Sequence, residues 1–132
     1  MEKIGIIGSG TWGTAIAVLL VNNGHEVTLW SAIPAEIEEM AKTRTHRNLP
    51  GVTLPEGLIY TADLEKAMAD KDLLVMAVPS VFVRSTAQKM KPFCKDGQLI
   101  VDVAKGIEEN TLDTMTKIIK EELPMAETAV LS

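Results

Sequence analysis

Directly after the apolar run Ile4 to Ile7, and before a long apolar stretch, the sequence carries a turn nearly stripped of bulk: Gly8-Ser9-Gly10-Thr11-Trp12-Gly13. That spacing suits the gripping of a diphosphate. Gly8 permits a tight turn, Gly10 leaves no side chain between the backbone and a bound pyrophosphate, and Gly13 lets the following helix pack close against the strand. The free backbone N–H groups and the positive end of the helix dipole would face the phosphates. Residues Gly8, Ser9, Gly10, Thr11, Trp12 and Gly13 are therefore candidates for holding a dinucleotide.

Sites that prefer NAD commonly place Asp or Glu at the end of the second strand, about twenty residues beyond the glycines, to hold the ribose 2′-hydroxyl. Here Ser31 and Ala32 occupy that place. No carboxylate there repels a 2′-phosphate and no arginine attracts one, so NADP and NAD both stay open, with a lean toward NADPH. Lys42, Arg44 and Arg47 follow, and a solvated charge run is the commoner reading of such residues than a reach toward the phosphate.

A second chemical feature is Lys105, between Ala104 and Gly106 just past the fifth apolar run. Its amine could meet an anionic or carbonyl-bearing substrate, against the plain alternative of a solvated loop lysine. Trp12 either packs over the cofactor or anchors its helix in the core, and Phe82 divides in the same way between core and contact. Ser80 is placed as a helix N-cap, with no histidine partner that would make it a nucleophile. Cys94 reads as a small packed residue. Neither His25 nor His46 has a cysteine or carboxylate at ligand spacing, so no metal site is expected.

The elements that must position these residues follow from the apolar pattern. Lys3 to Ile7, Glu26 to Trp30, Leu73 to Val78 and Leu99 to Val103 are strands, nearly continuous in apolar residues as in a parallel sheet covered on both faces. Leu58 to Tyr60 and Thr128 to Leu131 are shorter ones. Helices are expected over Thr11 to Asn23, apolar nearly all round and hence buried; over Pro34 to Thr43; from an Asp63 cap to Ala69; over Val81 to Met90; and over Thr111 to Leu123, amphipathic through Leu112, Met115, Ile118, Ile119 and Leu123. His46 to Gly57, with two prolines and two glycines, is a loop ordered by its own apolar contacts. Strand and helix alternate, which gives an α/β, doubly wound parallel sheet of order 3-2-1-4-5-6. Its crevice gathers Gly8 to Gly13, Val78-Pro79-Ser80 and Ala104-Lys105-Gly106.

With 132 residues, 46% hydrophobic and 23% charged, the chain is one ordinary globular domain. A net charge of −5 with scattered basic residues argues against nucleic acid. One cysteine suits a reducing compartment. The longest apolar run, Ala15 to Val21, is far too short to span a bilayer, and a cytoplasmic location is expected.

Several of these segments together resemble a known family. Gly8-Ser9-Gly10-Thr11-Trp12-Gly13-Thr14-Ala15, Leu49-Pro50-Gly51 with Leu54-Pro55, Val78-Pro79-Ser80 and Lys105-Gly106-Ile107-Glu108 resemble, from end to end, the N-terminal half of the NAD(P)-dependent glycerol-3-phosphate dehydrogenases of bacterial type. The resemblance implies an enzyme that interconverts sn-glycerol 3-phosphate and dihydroxyacetone phosphate and feeds phospholipid synthesis. It implies that Thr11 and Trp12 contact the cofactor, that Phe82 lines the nicotinamide side, and that Lys105 touches both cofactor and substrate. A homodimer of the complete protein is compatible with it. The chain departs from the family at Ala32, where a basic residue is frequent, and at Asn48, where an aromatic ring is. The family also continues past a Leu-Ser like Leu131-Ser132 into a helical domain that carries a proton-transferring lysine. The expectation is a cofactor-binding Rossmann domain, residues 1–132, with no catalytic residue of its own and little activity alone. Two other readings are the cofactor domain of a hydroxy-acid or sugar-acid dehydrogenase, and a non-catalytic module that senses dinucleotide redox state.

Overall fold

Uninterrupted apolar strands need cover on both faces, and the fold supplies it. The computed structural model describes residues 1–104 and 114–130. Six parallel strands form one sheet: β1 (Lys3–Ile7), β2 (Glu26–Trp30), β3 (Ile59–Thr61), β4 (Leu73–Met76), β5 (Leu99–Asp102) and β6 (Glu127–Val130), in the order β3-β2-β1-β4-β5-β6. This is the expected doubly wound order. Ile7 stands opposite both Trp30 and Met76, and Met76 opposite Asp102. The central strands therefore end level, and the loops after β1, β4 and β5 leave from one edge.

Side-chain alternation divides the core in two. Ile4, Ile6, Val27, Leu29 and Val75 pack with Ala17 of α1 (Thr11–Asn22) and with Ile37 and Met40 of α2 (Pro34–Thr43). On the other face Ile7, Trp30, Leu74, Met76 and Ile100 meet α3 (Leu64–Met68), α4 (Val83–Met90) and α5 (Met115–Glu122). Gly5 is on this second face, where a Cβ would overlap the Ala67 carbonyl oxygen, so α3 sits directly on β1.

Three expectations are corrected, and one alternative left open for Trp12 is decided. Only Gly13, Thr14 and Ala17 of α1 are fully buried, and Leu19 is 60% exposed; an apolar sequence all round the helix does not place partners all round it. Trp12 does not anchor α1 in the core, being 57% exposed. Ser80 is not a side-chain cap: Pro79 takes the cap position of a single 3₁₀ turn, Ser80–Phe82, and α4 starts only at Val83. α5 starts at Met115, because Thr114 is extended and its Oγ1 accepts from the Lys117 N–H. Leu112, Lys105 and the segment 106–108 lie outside the described residues.

The loop after α2 is held by polar bonds as well as by buried Leu54. The Leu54 N–H donates to the Arg44 carbonyl oxygen, and Arg44 Nε donates to the Leu54 carbonyl oxygen. Arg44 is thus committed to its own loop. Among the described residues no helix is long and apolar enough to cross a membrane, and no group of three His, Cys, Asp or Glu could hold a metal.

At the end of β5, Asp102 is 1% exposed; its carboxylate accepts from the Ala104 N–H and from Thr116 Oγ1. Burial pushes its pKa above the ordinary carboxylate range, and the two hydrogen bonds oppose that only in part. The folded chain therefore holds this proton more tightly than the unfolded chain does. The stability it contributes is therefore complete below the ordinary carboxylate pKa and is lost as pH rises through the raised value. Asp102→Asn keeps an acceptor for Ala104 and cannot ionise. Urea midpoints are expected to show the variant gaining on the wild type as pH rises above the ordinary carboxylate range. A difference that stays constant as pH rises from that range would contradict the assignment.

Candidate functional site

The turn between β1 and α1 is built by three glycines with different reasons to be bare. Gly8 has φ of +126°, and a Cβ there would meet the Val78 amide nitrogen at 2.6 Å. Its own N–H donates to the Trp30 carbonyl at 3.0 Å, which pins the turn to the end of β2. A Cβ on Gly13 would overlap the Gly8 carbonyl oxygen and crowd Ala77 Cβ at 3.1 Å. The fold itself demands these two. Gly10 is different: its φ is −65°, open to any residue, and a Cβ there would meet nothing within 4 Å. Packing gives no reason for the missing side chain at Gly10, whereas close approach of something outside the chain does.

The peptide leading into Gly10 is fixed from one side. The Ser9 carbonyl oxygen accepts Thr14 Oγ1–H at 3.0 Å, and His46 Nε2 lies 2.9 Å from it. His46 Nδ1 accepts the Asn48 N–H at 3.1 Å, so the proton is on Nε2 and is donated to Ser9. With the carbonyl held inward by two donors, the trans peptide turns the Gly10 N–H outward, beside the N–H groups of the first turn of α1, which have no partner inside the helix. An anion placed there meets aligned donors and the positive helix end.

Two clefts flank this turn. One, of about 540 Å³, is lined by Trp12, Ala77, Val78, Pro79, Ser80, Val103 and Ala104. It joins the loops after β1, β4 and β5, the convergence expected from the sequence, and Trp12 forms part of its wall. Phe82 is 55% exposed and outside the lining. The other cleft, of about 350 Å³, runs from Gly10 over α2, along Glu36, Glu39, Met40 and Thr43, to His46, Arg47 and Asn48.

Ser31 is buried with its Oγ accepting from the Ile33 N–H, and Ala32 is exposed with no polar atom in its side chain. Lys105 follows Ala104 in sequence but lies outside the described residues. Two residues the sequence did not single out for the site belong to it. His46 reaches the turn across 37 positions, for which no local pattern exists. Glu36, in the first turn of α2, accepts from Ser9 Oγ at 3.4 Å; its signal was a carboxylate shortly beyond the end of β2.

Residues 3–132 match the family described as NAD-dependent glycerol-3-phosphate dehydrogenase N-terminus. The chain is 52% identical over 132 residues to a glycerol-3-phosphate dehydrogenase, NAD(P)+, of Agathobacter rectalis, covering 99% of this chain and 39% of that protein. It is 54% identical over 123 residues to one from Lactobacillus delbrueckii subsp. bulgaricus, covering 93% of this chain and 36% of that protein. The crystal structure of glycerol-3-phosphate dehydrogenase from Coxiella burnetii superposes with a TM-score of 0.90 at 28% identity, over 98% of this chain and 40% of that one. The chain thus spans well under half the length of these relatives.

The contrast among the glycines is open to test by stability alone. Gly10→Ala is expected to cost less than about 1 kcal/mol, since it only exchanges one N-cap residue for a poorer one. Gly13→Ala is expected to cost about 1–3 kcal/mol, because backbone must move to admit the methyl group. Denaturant titrations of both variants check this; equal losses would show that Gly10 is bare for reasons of packing.

Proposed function

The chain belongs to the NAD-dependent glycerol-3-phosphate dehydrogenase family, matching its N-terminal part, and on that premise we propose that it is the cofactor-binding portion of such an enzyme. The reaction is hydride transfer between NAD(P)H and dihydroxyacetone phosphate, forming sn-glycerol 3-phosphate for glycerophospholipid synthesis in the cytoplasm. The observation that carries this reading is Gly10, bare where neither its φ nor its neighbours require it.

In this reading the N–H groups at the start of α1, from Gly10 through Thr11 and Trp12, hold the diphosphate, and Gly8 and Gly13 keep the turn close enough for them to reach it. Ser9 carries the carbonyl that sets their direction. The bound nicotinamide supplies or accepts the hydride. Trp12 covers the cleft of Val78, Pro79 and Ala104 and keeps water from it. Phe82 stands on the 3₁₀ turn beyond Ser80, near enough in the chain to close over the nicotinamide side. Lys105 supplies the cation that binds the substrate's phosphate or polarises its carbonyl oxygen.

Reduction of a carbonyl also requires a group that delivers the hydroxyl proton. The family resemblance assigns that lysine to the helical part of the longer relatives, of which this chain matches 39% in the Agathobacter rectalis protein. These 132 residues taken by themselves then bind dinucleotide and turn over slowly.

Titration with NADH and with NADPH, followed through Trp12 fluorescence, is expected to show saturable binding that Gly10→Ala weakens at least about tenfold. With dihydroxyacetone phosphate added, turnover is expected to stay on the order of a hundredfold or more below that of a full-length relative. Absence of binding to either nucleotide, or turnover equal to the full-length enzyme's, would overturn the reading.

A further inference from the structure

We propose that Glu36 selects the unphosphorylated ribose, so that this chain binds NADH in preference to NADPH; the proposal rests on the dinucleotide reading above. The two clefts divide the ligand. A diphosphate seated on the turn has Trp12 and the loops after β4 and β5 to one side, and Gly10 with α2 to the other. In a doubly wound sheet the half that lies past the end of β2 is the adenosine, and the residues there meet its ribose.

The end of β2 carries no carboxylate for that ribose. Ser31 Oγ is engaged with the Ile33 N–H and Ala32 has no polar side-chain atom. The role passes to the first turn of α2, where Glu36 turns back to the glycine turn and accepts from Ser9 Oγ at 3.4 Å. Glu36 forms part of the wall of the cleft that starts at Gly10, on the α2 side of the turn where the proposal puts the ribose. A carboxylate accepts hydrogen bonds from ribose hydroxyls, and it repels a phosphate on the same carbon. Glu36 is half-buried, so water and salt screen that repulsion less than at an open surface.

The remaining charges of the wall do not reverse the sign. Glu39 lies three residues further along the helix and lines the same cleft. His46 directs its one N–H at Ser9 and is neutral in that geometry. Arg47 is the single arginine or lysine in the lining, against two carboxylates, and it is exposed. This runs opposite to the lean toward NADPH that Ser31 and Ala32 alone invite.

Fluorescence titrations of the wild type, Glu36→Gln and Arg47→Gln with NADH and NADPH separately test the proposal, with thermal melting as the control for folding. The wild type is expected to bind NADH at least about tenfold more tightly than NADPH. Glu36→Gln is expected to close most of that gap by tightening NADPH, with its melting temperature unchanged, since the residue makes one long side-chain bond. A wild-type ratio near one, a preference for NADPH that Arg47→Gln abolishes, or a ratio that Glu36→Gln leaves untouched would overturn it. If the wild type bound neither nucleotide, the dinucleotide reading would fall together with the proposal; binding of both with the wrong ratio would overturn the role of Glu36 alone.

Discussion

The orientation of a single peptide group, the one joining Ser9 to Gly10, is the constraint on which the site depends. Its carbonyl oxygen takes two donors, Thr14 Oγ1 from inside α1 and His46 Nε2 from a loop 37 positions away. A carbonyl has two lone-pair directions, and both are used. The peptide cannot flip without leaving two buried donors unmatched, at a cost of about 1–3 kcal/mol for each. The amide on the other side of the same plane is thereby aimed outward in advance. Preorganised donors of this kind bind an anion without having to be reoriented at the moment of binding.

The rest of the fold brings that peptide to the right edge. Level strand ends put the loops after β1, β4 and β5 side by side, and the Gly8 turn is tied to β2 through the Trp30 carbonyl. Helices on both faces bury the strands, so the C-terminal edge is where main chain stays open. Trp12 and Gly10, two positions apart, face different clefts, which is how one short turn can serve both halves of a long ligand. The exposed apolar residues at this edge, Trp12 and Phe82 among them, contrast with the dry core beneath.

Sheet order and the glycine turn were legible because they rest on local signals: apolar runs of strand length, and glycines whose spacing matches a strand-to-helix turn. Burial of α1 was not legible. Gly13, Thr14 and Ala17 are buried and Ile16, Val18, Leu20 and Val21 pack in part against the core, but Leu19 and Trp12 show that hydrophobic side chains also stand at open edges. Ser80 had the chemistry of a cap, yet Pro79 and a 3₁₀ turn took the position. His46 looked inert because its partner is distant in sequence, and Glu36 escaped notice because the helix, not the strand end, supplies the carboxylate. Both belong to contacts that exist only once α2 and its following loop have folded back against the turn.

The outward aim of the Gly10, Thr11 and Trp12 amides can be read most directly by amide NMR. A uniformly ¹⁵N-labelled chain, titrated with NADH, is expected to show its largest shift changes at those three N–H groups, with smaller ones at His46 and Asn48. Large changes elsewhere, with the three amides still, would contradict the claim that this turn holds the diphosphate.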